Sequence, residues 1–259
     1  MVKRLDCSDV ESTYASVTGI LDVDRQILDE VFDRYHSAHH NDTLVDKLQL
    51  KKMLADVRGS ITHLPEFRTI FFHATRGVDP KQFRQEGLLP LNRVLDRIWS
   101  VLFGLLGSEC SVKAWQDFRL RVETTHPGHY AALYRMKTKK PYHWGPYGFL
   151  IRDVPLKPRQ CGVRDYLGDP PELVQDICLS FREDYSIDLE KRYRAASRPC
   201  LVKFRSSCDP DAVWVALNYL YLSSRGLDLT FDLQYPFDGK GQPVPPDWIE
   251  DVEVVSERP

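Results

Sequence analysis

The sequence predicts an α+β fold: a helical N-terminal region over residues 1–64, then a larger α+β domain over 65–259 with a split β core and helices around it. Three observations predict it. Apolar residues within the first 60 positions recur at helical spacing. Later come separate β-branched, aromatic or alternating stretches, at Thr69–Phe72, Tyr147–Ile151, Pro199–Phe204 and Leu227–Tyr235. Between them lie helical patterns with clear start signals, Asp79-Pro80, Asp169-Pro-Pro-Glu172 and Asp209-Pro210.

Taken in order, Ile27, Leu28, Val31, Phe32 and Tyr35 share one face of a helix from Asp24 to about Ala38. His36, His39 and His40 crowd its end. With no Cys or Glu pattern beside them, they read as a solvated helix end suited to the dipole rather than a metal site. Leu44, Val45, Leu48, Met53, Leu54 and Val57 mark a second helix from Thr43 to about Val57, closed by Arg58-Gly59-Ser60.

Thr69 to Phe72 reads as a buried strand that runs into a polar His73-Ala-Thr-Arg76 and Gly77. A histidine and a threonine at a strand end sit where a ligand reaches backbone and side chain together. Asp79 is the expected N-cap of a helix from Pro80 to Glu86, with Gly87 at C′ and Leu88-Leu89 after it. Leu91 to Leu106 and Ser111 to about Val122 read as helices; His129 to Met136 fits helix or strand. The strand Tyr147–Ile151 is entered through Trp144-Gly-Pro146. Gly145 and Gly148 allow backbone, or a flat ligand, to come close to Tyr147.

Residues 154–170 read as a Pro-, Gly- and Arg-rich loop, and Asp169 opens a helix carrying Leu173, Val174, Ile177, Cys178 and Phe181. A charged stretch, Arg182–Arg198, holds Tyr185, Leu189 and Tyr193 and precedes the strand Pro199–Phe204. Asp209 opens another helix through Leu222, ended by Gly226. Leu227–Tyr235 alternates apolar and polar residues as a half-buried strand does, Asp238-Gly239 marks a turn, and Val252–Val255 is the last strand.

Composition bounds the function classes. With 35 basic and 37 acidic residues, net charge −2, there is no global basic field for nucleic acid. The six cysteines include no C-x-x-C pair, so reduced, packed thiols are expected. The N-terminus turns polar too soon for a signal peptide and the apolar run Ile98–Leu106 is too short for a membrane span, so a cytoplasmic protein is expected.

The order of the stretches carries a resemblance. His73-x-Thr75 on a strand, a short helix ending in Gly-Leu, Gly-Pro-Tyr147-Gly at a strand start, and Gln234-Tyr235 ahead of Val-Pro-Pro-Asp-Trp-Ile249 resemble the ADP-ribosyltransferases of the diphtheria-toxin and poly-ADP-ribose-polymerase type. That family carries His, Tyr and Glu on separate strands of a split, mainly antiparallel core, and the resemblance covers roughly residues 67–255. It implies NAD-dependent transfer of ADP-ribose to a macromolecular acceptor, protein or nucleic acid, with NAD as substrate. By resemblance His73 would hydrogen-bond the adenosine ribose, Thr75 would help fix the dinucleotide, and Tyr147 would stack on nicotinamide. The family's Glu falls at Gln234, which cannot act as a base; Asp232, two residues earlier on the same strand face, would substitute. Two alternatives stand beside it. One is a non-catalytic binding protein, with or without this fold, docking a protein partner through the N-terminal helices. The other is a hydrolase or nuclease using His126, His129 and His143, for which no metal-ligand spacing exists.

Overall fold

The computed structural model describes residues 2–39, 46–59 and 64–256; the predicted positions His40, Thr43, Leu44, Val45 and Ser60 lie outside them. The fold is α+β, with 57% of the described residues helical and 15% in strands, so helices make most of the packing surface. In order the elements are β1 (Lys3–Leu5), α1 (Val10–Leu21), α2 (Arg25–His39), α3 (Lys47–Arg58), β2 (Phe67–Gly77), α4 (Lys81–Glu86), α5 (Leu91–Gly104), α6 (Val112–Thr124), α7 (His129–Lys139), β3 (Tyr147–Phe149), α8 (Asp153–Leu156), α9 (Pro158–Cys161), α10 (Glu172–Tyr185), α11 (Leu189–Ala196), β4 (Arg198–Ser206), α12 (Pro210–Ser224), β5 (Pro236–Asp238) and β6 (Ile249–Val254). The strands form one sheet in the order β5-β3-β2-β4-β6, with β1 also paired to β2. β2 and β3 are antiparallel, with Phe72 opposite Phe149, while β1 lies parallel to β2 with Lys3 opposite Phe67.

Internal contacts divide the chain into two units, neither contiguous in sequence. The first comprises residues 1–72, 148–165 and 203–237. Its core joins Val17, Ile20 and Leu21 of α1, Leu28, Phe32 and Tyr35 of α2, and Leu50 and Leu54 of α3 to α12, which is buried on every side from Val215 to Leu222. Tyr221 packs edge-on against Phe32 and Tyr35, with ring centroids 5.8 and 5.0 Å apart. Gly148 is required where the sheet meets this core, since a Cβ there would stand 2.9 Å from the Phe204 ring. The glycine makes room for one of the protein's own rings.

The second unit comprises residues 73–147, 166–202 and 238–259. Trp99 of α5 is its hub, edge-on to Trp115, Phe118 and Tyr134 at 5.1, 5.8 and 5.8 Å, with its indole N–H donating to the Tyr134 hydroxyl at 3.0 Å. Leu173, Val174, Ile177 and Phe181 of α10 complete the cluster. The sequence left 129–136 open between helix and strand; it is helix α7, with Ala131 and Tyr134 buried.

Several expectations are corrected. The N-terminal region is not wholly helical, because Lys3–Leu5 pairs with β2. The strand expected at Thr69–Phe72 continues to Gly77, so His73 and Thr75 lie within it rather than beyond its end. The strand at Tyr147 stops at Phe149. The loop expected over 154–170 contains the short helix α9 and the end of α8. Residues 227–235 are not a strand: Phe231–Leu233 is a 3-10 turn closed by Leu233 N–H to Thr230 and Gln234 N–H to Phe231. The burial pattern explains it. Leu229 and Leu233 are buried while Leu227 and Phe231, which would share their face in a strand, are exposed, so the alternation in sequence does not correspond to one buried face. His36 and His39 are not a free solvated end either, since His36 Nδ1 lies 3.2 Å from the Tyr221 hydroxyl and His39 stacks on Tyr35 at 4.5 Å.

Candidate functional site

A cavity of about 490 Å³ lies within the second unit, and three of the residues singled out in the sequence line it: His73, Thr75 and Tyr147. Period two along β2 puts His73, Thr75 and Gly77 on one half-buried face. Ala74 and Arg76 alternate with them and are buried. β3 brings Tyr147 alongside, and His73 Nδ1 stands 2.7 Å from the Tyr147 carbonyl oxygen.

That one bond fixes the imidazole. A carbonyl only accepts, so Nδ1 carries the proton, and in the neutral ring Nε2 is left as an acceptor. Loss of water around the ring holds its pKa below the usual 6.5, outweighing the opposite pull of the Tyr147 carbonyl. His73 is therefore neutral near pH 7, and Nε2 has no protein hydrogen bond among the described residues. Phe83 of α4 stands edge-on to the ring, centroids 6.4 Å apart.

Tyr147 is 42% exposed, and its hydroxyl donates to the Tyr142 carbonyl. Desolvation and then Asp238 raise its pKa, so it stays a phenol. Gly145, at φ +55°, is needed beside it, because a Cβ there would stand 2.9 Å from the Tyr147 ring. Gly87 has a like role behind α4. It is the C-cap expected from sequence, and a Cβ on it would lie 2.0 Å from the Val244 carbonyl oxygen, which accepts the Leu88 N–H.

Two helices supply walls that sequence reasoning did not assign. Leu91, Val94, Ile98 and Val101 form one aliphatic stripe of α5. The first turn of α10 contributes Leu173 and Val174, and no side chain caps its amino end. The start signal Asp169-Pro-Pro-Glu172 was visible, but nothing in it says what the helix end faces. The cations around the cavity are engaged by protein. Arg97 meets Glu86 at 2.8 Å and Gln82 at 2.9 Å, and Lys137 meets Asp176 at 2.7 Å and Glu172 at 3.2 Å. Arg76 donates to the carbonyls of Leu167, Arg194 and Ser197 at 3.0, 3.1 and 3.0 Å and to the Ser197 hydroxyl at 3.2 Å. It thereby caps the end of α11 and ties down the segment beside Tyr166, another cavity residue.

Asp232 and Gln234 belong to the first unit and are not among the residues lining this cavity. They flank and belong to the 3-10 turn, where the Gln234 amide donates to the Cys161 carbonyl. Among the described residues no group of three His, Cys, Asp or Glu side chains could hold a metal ion, and no helix is long and apolar enough to cross a membrane. What the cavity offers is a neutral imidazole acceptor, a threonine, an accessible tyrosine ring and an aliphatic wall, which together suit a ligand with a sugar hydroxyl and a flat ring. Comparison of the chain with protein-family models, with curated proteins and with solved structures returns no match, so the site is read from its own geometry.

Proposed function

We propose that the chain binds NAD in this cavity and transfers its ADP-ribose to a macromolecular acceptor, protein or nucleic acid, on an ADP-ribosyltransferase-type core. The observation that carries the reading is the pairing of His73 and Thr75 on β2 with Tyr147 on β3 around one cavity. In this reading His73 Nε2 accepts a hydrogen bond from a ribose hydroxyl, the Tyr147 ring stacks on nicotinamide, and the uncapped end of α10 faces the pyrophosphate. The bond between nicotinamide nitrogen and ribose C1′ breaks, and nicotinamide leaves with the electron pair. An acceptor nucleophile bonds to C1′, its proton passing to water. The aliphatic stripe of α5 keeps water off the side of the developing oxocarbenium that it covers, away from the acceptor.

The test is a thermal shift and calorimetric titration with NAD. Wild type is expected to be stabilised, and His73→Ala and Tyr147→Ala to lose the shift while keeping their melting transitions. No shift in wild type at millimolar NAD removes the substrate from the reading. A second reading, a module that binds without turnover, is favoured by Gln234, a glutamine where the resembled family has its acid and one already donating to a backbone carbonyl. Free nicotinamide accumulating during incubation with NAD decides against it.

A further inference from the structure

Between α7 and β3, beside the cavity, the second unit carries a short basic and aromatic step. A 3-10 turn, Pro141–His143, joins the two elements. Tyr142 is 60% exposed, and its ring lies against the His143 imidazole, centroids 4.2 Å apart at 51°. The Tyr142 carbonyl receives the Tyr147 hydroxyl, so the two exposed tyrosines are tied to each other. His143 and Tyr147 also line the cavity, which makes the step continuous with it. Lys140 Nζ lies 5.7 Å from the Tyr142 ring. Lys139 and Lys140 are exposed and make no ion pair among the described residues, unlike Lys137, which Asp176 and Glu172 hold.

The dipole of α7 accounts for lysines in its last turn. It does not account for an exposed tyrosine ring lying tilted against a histidine ring in the turn that follows the helix. Flat, accessible rings beside unpaired cations are what a single-stranded nucleic acid uses: bases stack on the rings and phosphates meet the lysines. An acidic peptide would use the lysines and leave the rings idle.

We propose that the Lys139–His143 step binds single-stranded nucleic acid, with a base on the Tyr142–His143 pair and phosphates at Lys139 and Lys140, and leads that strand to the cavity as the acceptor. The acceptor role rests on the dinucleotide reading; the binding does not. The chain has no global basic field, so the attraction is local. Two phosphate contacts on a single strand give a log–log salt slope of about −1.4.

The experiment is fluorescence anisotropy with labelled single-stranded DNA, single-stranded RNA of the same sequence and the DNA duplex, without NAD, across salt. Single strands are expected to bind more tightly than the duplex, and the preferred sugar names the source. Tyr142→Ala is expected to weaken binding about tenfold, the scale of one lost stacking contact. Lys139→Ala combined with Lys140→Ala is expected to flatten the salt slope. These positions are exposed, so circular dichroism is expected to stay unchanged. Absence of binding at low salt overturns the proposal. So does duplex binding equal to single-strand binding, or a polyglutamate peptide binding as well as the oligonucleotide with no dependence on Tyr142. Because NAD is absent throughout, failure of the dinucleotide reading leaves this result untouched.

Discussion

His73 is a histidine whose neutral form the fold prefers, and the preference has a sign. Its pKa lies below the usual 6.5, so as pH falls through 6.5 the unfolded chain takes up the proton first. The stability tied to this group is present above that pH and is lost as pH falls toward the lowered folded value. Denaturant midpoints measured from neutral to mildly acidic pH are expected to fall less steeply for His73→Gln than for wild type. An identical slope means the ring is already solvated. Gly87 is the second test at this scale. Its φ of +77° and the 2.0 Å approach of a Cβ to the Val244 carbonyl oxygen leave no room for alanine. Gly87→Ala is expected to cost roughly 2 kcal/mol or more in urea unfolding. Residue-level signals were legible where a single residue type is demanded: the Gly87 cap follows from the sequence, while Gly145, expected to let backbone or a flat ligand approach, instead takes a positive φ and leaves room for the Tyr147 ring itself. The tautomer of His73 was not legible, because it depends on a carbonyl 74 positions away in the chain.

At the scale of elements, Arg76 shows how much one strand residue can organise. From the buried side of β2 its guanidinium serves two carbonyls and a hydroxyl at the end of α11 and a third carbonyl in the segment before α10, while the Tyr193 hydroxyl donates to the Arg76 carbonyl at 2.9 Å. A lysine has a compact head that cannot span that fan. Arg76→Lys is expected to lose roughly 2 kcal/mol, leaving buried carbonyls short of donors, and to shift the fluorescence of the cavity tyrosines. Helix existence was legible from apolar spacing for α2, α3, α5, α6, α10 and α12. The stretch 227–235 misled, since strict alternation in sequence does not say which of the alternate residues is buried; only Leu229 and Leu233 are. Asp232 and Gln234 therefore lose the shared strand face that first grouped them. At α12 the expected starter, Asp209, has its carboxylate taken by the Tyr235 hydroxyl at 2.9 Å, a long-range partner that no local signal announces.

Over the whole molecule, the cysteines behave as the composition predicts: all six are free thiols and five are buried. Burial raises the pKa of Cys7, Cys110, Cys161, Cys178 and Cys200, and only the thiolate is nucleophilic. Cys208 is the partly accessible one. Native-state alkylation followed by mass spectrometry is expected to modify Cys208 well before the others; equal rates would show that the cores open together. The sequence expects a boundary near residue 64, whereas the contacts interleave two units, each drawing on three stretches of chain. That arrangement has a consequence for biosynthesis. A nascent chain that has reached Val202 still lacks α12, the buried helix of the first unit, and β6 of the second. The Trp99 cluster of the second unit draws only on residues 91–193 and can pack at that point, whereas α1, α2 and α3 must wait for α12 with their apolar faces open, and this is where a chaperone would have its opportunity.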